Sequence, residues 1–233
     1  MPQPQSDTHV GRSSLSALEP VRPQPSVVAV AGAGPEAPEE LLSAGPRVRF
    51  FMLLVIALLG YGSYFAYDSI GALGPLLVSE LHLDRSQIGL LYSVYSWPNV
   101  VMVLFGGILI DRLGVRRAAV LLSGLVAFGA VVVAAAPSFL SGRAAFIGML
   151  VGRTLFGLGS ESLLICQNAM IARWFRGREL ALAFGLSLTA LRLGTMLVFQ
   201  TEATIAAHFG GVRAGLWAAA LCCGLSVVAG VVF

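Results

Sequence analysis

The chain has 233 residues, 57% of them hydrophobic and 12% charged, with a mean hydropathy of +0.83. That balance excludes a water-soluble domain and points to a multi-pass membrane protein. The net charge of +3 comes from fifteen arginines and no lysines, most of them in short gaps between apolar runs. Such placement orients membrane segments and argues against nucleic-acid binding.

Residues 1–46 hold eight of the eleven prolines among Ser, Gly and scattered charge. With too little apolar surface for a core, this segment is expected to be a disordered cytoplasmic tail. Residues 47–233 then form the expected membrane domain, with six spans at about 50–79, 86–110, 118–136, 144–172, 180–207 and 214–233. Each must be a helix, because in lipid only a helix satisfies its own backbone. Arg47 and Arg49, then Arg112, Arg116 and Arg117, then Arg173, Arg176 and Arg178 lie on one side, against Arg85, Arg143 and Arg213 on the other. Eight against three places the tail and the two basic loops in the cytoplasm.

Charges interrupt these spans at few places. Asp68 lies in the first, Arg153 and Glu161 in the fourth, Arg192 and Glu202 in the fifth. Counted from the cytoplasmic ends, Glu161 and Arg192 are ~17 and ~18 Å deep, near the midplane of a ~30 Å core, where transporter sites are expected. A carboxylate there can accept from an ammonium, and a guanidinium can grip a carboxylate with two parallel hydrogen bonds, so the two suit a zwitterionic solute. The competing reading is that they neutralise each other and lock spans four and five together. Arg153 reads either as a coupling residue or as a partner of Glu161 two turns away. Asp68, ~28 Å from the cytoplasmic start of span one, reads as a gate, a substrate contact or an interfacial acid. Tyr64, Tyr67, Tyr92, Tyr95 and Trp97 either line a cavity or form an aromatic belt, the depth of Tyr95 favouring the cavity. Asn99, Gln167 and Asn168 can hold a peptide amide or join helices. Pro98 is expected to kink span two. Glu179 is read as a favourable charge at a helix N-terminus.

Between spans two and three, residues 107–117 read Gly-Ile-Leu-Ile-Asp-Arg-Leu-Gly-Val-Arg-Arg. This resembles the signature loop of the major facilitator superfamily, in its order of Gly, Asp, Arg and Gly and in its position. The resemblance implies that Asp111, with Gly107, Arg112, Gly114 and Arg116, belongs to a latch that closes the inner side against the other half of the transporter; here the basic residues come one position late, behind Val115. Arg153, Gly157 and Gly159 match a second, weaker family pattern. The stretches Gly62–Phe65 with Tyr67 and Asp68, Tyr95–Val100, Gly159–Leu163 with Gln167 and Asn168, and Trp174–Leu180 are similar to the major facilitator superfamily domain-containing protein 1 group. That similarity implies a dipeptide uniporter, with Glu161 and Arg192 at the positions taken to bind the two peptide termini; Tyr95, Asn168 and Asp68 are added as substrate contacts from their own depth and polarity.

The expected fold is therefore all-α, one six-helix half of a major facilitator transporter, its partners a small zwitterionic substrate, membrane lipid, and a C-terminal half or second copy. Other organic anions compete as substrates, and a non-transporting six-helix membrane protein competes as a class. Nothing indicates an enzyme, and no cofactor is expected. Cys166, Cys222 and Cys223 lack metal-site spacing and read as small hydrophobes. The all-arginine basic set points to a bacterial inner membrane, and an animal relative would sit in lysosomes.

Overall fold

A computed structural model of the chain describes residues 45–233, leaving aside Arg178 and the side chains of Val103 and Leu104. The tail expected to be disordered lies outside the described residues except at its end, where Pro46 opens the first helix. Seven helices follow: α1 (Pro46–Ala72), α2 (Gly74–Glu80), α3 (Arg85–Leu113), α4 (Val115–Phe139), α5 (Gly142–Trp174), α6 (Leu180–Phe209) and α7 (Val212–Val232). Among the described residues there is no strand.

The breaks have local causes. Pro75 in the first turn of α2 has no N–H to continue α1, so the first span is divided at Leu73. Asp84 and Gln87 form a capping box that starts α3. Gly114, at φ 78°, makes the reversal between α3 and α4, a conformation that costs a side-chain-bearing residue.

Five of the helices are long and apolar enough to cross a membrane, and α3 is the sixth when its two segments, bent by 58° between Met102 and Phe105, count as one span. By length and composition these helices make the chain an integral multi-pass membrane protein. Pro98 sits inside α3, but the bend lies several residues beyond it, beside Gly106 and Gly107. Proline disturbs the turn before it, whereas paired glycines weaken the helix where they stand, which fits the observed place better.

Side-chain contacts fix which ends lie together. Arg49 of α1 pairs with Glu179 at 3.6 Å, Phe50 meets Phe175 edge-on, and Trp174 meets Phe233. The start of α1, the α5–α6 loop and the end of α7 therefore share one face. At the other face the Glu80 carboxylate accepts from the Val212 N–H at 3.0 Å, and Trp217 donates to Ser138. Glu179 is thus more than a helix-terminal charge: it takes a left-handed conformation at the start of α6 and holds Arg49, which also lies over the Phe175 ring.

Helix α1 packs against α5, α6 and α7, and α5 against α3 and α4. Gly157 permits the α3–α5 approach, since a Cβ there would stand 2.5 Å from the Tyr95 carbonyl oxygen. Of the five unbroken spans α6 is the least covered, with 28% of its most apolar stretch buried against 44–56% for α1, α4, α5 and α7. Its Leu186, Leu193, Met196 and Phe199, with Trp97, Val100 and Phe105 of α3, leave an apolar surface that no described residue covers.

Candidate functional site

The central seam of α1, α3 and α5 carries a cluster of hydroxyls around one carboxylate. Glu161, half-buried on α5, has its Oε1 3.5 Å from the Tyr95 hydroxyl, which also donates to Ser160 at 3.2 Å. The Ser160 hydroxyl is 3.0 Å from that of Ser63 on α1. Tyr95 is buried and lies against Glu161.

The competing reading, a Glu161–Arg192 ion pair, is not found: among the described residues the single ion pair is Arg49–Glu179. Arg192 is exposed on the uncovered side of α6. The half-buried Tyr64 lies within the electrostatic reach of Glu161, Arg192 and Asp68. The reading in which the two charges lock spans four and five together is therefore corrected. Among the described residues neither charge has an ion-pair partner.

Arg153 does not pair with Glu161 either. Eight residues of helix turn them about 80° apart, so they leave α5 in different directions. The guanidinium, 2% exposed, stands 5.3 to 5.5 Å from the ring centres of Tyr67, Tyr92, Tyr95 and Phe156. It donates to the carbonyls of Ala66 and Tyr67, both at 3.4 Å. Three of the five aromatics weighed as a belt are thus an internal cage, while Trp97 is 77% exposed.

The amides divide. Asn168, seven residues from Glu161, shares its face of α5 and is exposed. Gln167 is fully buried and donates to Ser187 of α6 at 2.8 Å, so it joins helices rather than facing a cavity. The Asn99 Oδ1 is buried without a partner. Asp68 is half-buried on α1, one turn from Tyr64 and within electrostatic reach of Arg153.

At the turn between α3 and α4, Asp111, Arg112, Gly114 and Arg116 are exposed, and Gly107 faces open space, with nothing near the place a Cβ would take. Packing within this chain therefore does not require glycine at 107. Two participants carried no assigned role from the sequence. Glu202, fully buried, accepts from Ser69 at 2.9 Å and keeps its other oxygen without a partner. Ten residues separate it from Arg192, which turns it about 80° away on α6 and into the seam with α1. Helical phase carried that signal. The Ser63–Ser160 contact carried none, because serines at this spacing are common in spans.

Comparison with known proteins agrees with this architecture. Residues 45–233 match the family described as Major Facilitator Superfamily. The chain is 43% identical over 148 residues to the lysosomal dipeptide transporter MFSD1 of Homo sapiens, covering 63% of this chain and 31% of that protein. It is 42% identical over 150 residues to the protein of that name from Danio rerio, with the same coverage. A hexuronate transporter of Bacillus subtilis is 28% identical over 162 residues, 68% of this chain and 36% of that protein. The chain spans about a third of the length of these relatives. A match over the whole of the described helical region means that this chain belongs to the major facilitator superfamily.

Proposed function

We propose that the chain is the N-terminal half of an alternating-access transporter of dipeptides or similar zwitterions. The observation that carries this reading is the Glu161 carboxylate, reached by the Tyr95 hydroxyl at 3.5 Å, with neither it nor Arg192 in an ion pair among the described residues. Glu161 accepts from the substrate ammonium, and Arg192 grips its carboxylate with two donors. Asn168 and Asp68 border the same side and contact the peptide between its termini. Such a clamp reads the backbone and tolerates varied side chains. The relatives named for dipeptide transport support it, and in this reading the membrane is bacterial inner or lysosomal according to source.

The cytoplasmic turn closes the inner side. Asp111 and Arg112 are exposed and the surface at Gly107 is open, so a helix of a second half can approach there. The exposed apolar faces of α3 and α6 are where that half rocks against this one. A second reading, an organic-anion carrier, is favoured by the unpaired Arg192 and by the hexuronate transporter among the relatives, but it leaves Glu161 without a task.

The test is binding of alanyl-alanine, its N-acetyl form and its C-terminal amide to a detergent-purified transporter containing this chain. Glu161→Gln should lose the preference for a free amino end, and Arg192→Ala that for a free carboxylate. Unchanged preferences in both variants would rule the clamp out.

A further inference from the structure

We propose that Arg153 is a positioning residue, which fixes the Tyr95 phenol against Glu161 and so orients the acceptor for a substrate amino group. This rests on the reading of Glu161 as that acceptor.

A guanidinium buried this deeply within a membrane span normally has an acid beside it, because an unpaired charge there is costly. Among the described residues Arg153 has none within ion-pair distance. Its charge is met by the faces of Tyr67, Tyr92, Tyr95 and Phe156 and by two carbonyls of α1. Cation–π attraction is strongest when desolvated, as it is here. Those rings belong to α1, α3 and α5, so one side chain ties together the three helices that form the Glu161 cluster. The rings also pack on one another, with Tyr67 and Tyr95 centres 4.7 Å apart, Tyr67 and Tyr92 5.4 Å, and Tyr95 and Phe156 5.8 Å.

Tyr95 is the link. Its ring belongs to the cage, and its hydroxyl reaches Ser160 and Glu161. With the ring held, the hydroxyl has little freedom to turn away, and the carboxylate it meets keeps one orientation. Because the rings meet the Arg153 charge, Glu161 has no resident cation to release before it takes a substrate ammonium. A lysine would not replace Arg153: an ammonium is a point charge, without the plane that lies against several rings or the fork that reaches two carbonyls.

The test compares the parent with Arg153→Met, Arg153→Lys, Tyr95→Phe and the Arg153→Met/Tyr95→Phe double variant in the full chain joined to its second half. Two quantities are read, near-ultraviolet tyrosine circular dichroism and affinity for alanyl-alanine and N-acetyl-alanyl-alanine, with far-ultraviolet helicity as the check of folding. Arg153→Met should flatten the tyrosine signal and weaken alanyl-alanine binding by about tenfold, with N-acetyl-alanyl-alanine little changed. The double variant should bind no more weakly than Arg153→Met alone, and Arg153→Lys should not restore binding. The proposal is overturned by an unchanged tyrosine signal, by equal weakening for both peptides as a merely structural role predicts, by additive effects of the two substitutions, or by rescue with lysine. Where Arg153→Met does not fold, Arg153→Lys carries the same comparison. If the parent binds neither peptide, the dipeptide reading fails by itself, and the response of the tyrosine signal to Arg153→Lys still decides whether Arg153 holds the rings.

Discussion

Glu161 and Arg192 were legible as intramembrane charges, but their relation was not. A depth count gives the height of a side chain and says nothing of its azimuth, so two charges at one level were open to being a pair or a clamp. The structure separates them, and the consequence is an asymmetry between kinds of substitution. Removing one charge, as in Arg192→Ala, deletes charge-assisted hydrogen bonds and should weaken dipeptide binding about 10- to 100-fold. Arg192→Glu should be worse, since two acids would then face one Tyr64 and one substrate carboxylate; binding titrations of the two variants check the order. Arg153 is the opposite lesson. Its burial followed from its place in an apolar span, but four aromatic partners on three helices arise only from tertiary packing. Glu202 has a structural consequence: Ser69→Ala removes the one donor its carboxyl has, which should lower unfolding stability by about 1–3 kcal/mol, measured by thermal or denaturant unfolding in detergent.

The six spans were visible in the sequence because their lengths and apolar content are set by the bilayer, whereas their interruptions depend on backbone detail. The division of the first span at Leu73 follows from Pro75, a signal present in the sequence but outweighed there by the unbroken apolar run. The bend of α3 was expected at Pro98 and lies nearer Gly106 and Gly107, because hydropathy does not weigh one helix breaker against another. Close helix approach gives a sharp prediction at this scale. Gly157→Ala gains about 1 kcal/mol of helix propensity, yet its Cβ would meet the Tyr95 backbone, and overpacking of that kind costs about 1–3 kcal/mol. Net destabilisation is expected, together with weaker dipeptide binding, because the α3–α5 spacing sets Tyr95 against Glu161. At the outer face, Glu80→Ala removes the acceptor for the first N–H of α7, and a loss of about 0.5–1 kcal/mol in unfolding stability is expected.

The described helices present one packed seam and one uncovered side. The seam buries the Arg153 cage, Gln167 and Glu202, while Arg192, Asn168 and the apolar residues of α3 and α6 remain accessible. A molecule so divided can offer half of a substrate cavity, and alternating access requires a second half to rock against it. The cytoplasmic turn around Asp111 belongs to that motion in the proposed reading: Asp111→Ala should leave unliganded helix content unchanged and shift the transporter toward its inward-open state, read by cysteine accessibility along α3 and α6. The order of residues 107–117 and their place between two spans were legible in the sequence, and the structure leaves Asp111, Arg112 and Arg116 exposed there. The most direct measurement is ligand-dependent thermal stabilisation of the chain in detergent, alone and joined to its second half, with alanyl-alanine, its end-blocked analogues and glucuronate as ligands. The account predicts that free alanyl-alanine stabilises the joined form and that Glu161→Gln and Arg192→Ala each abolish the effect; stabilisation of those variants equal to that of the parent, or a response to glucuronate and not to the dipeptide, would contradict it.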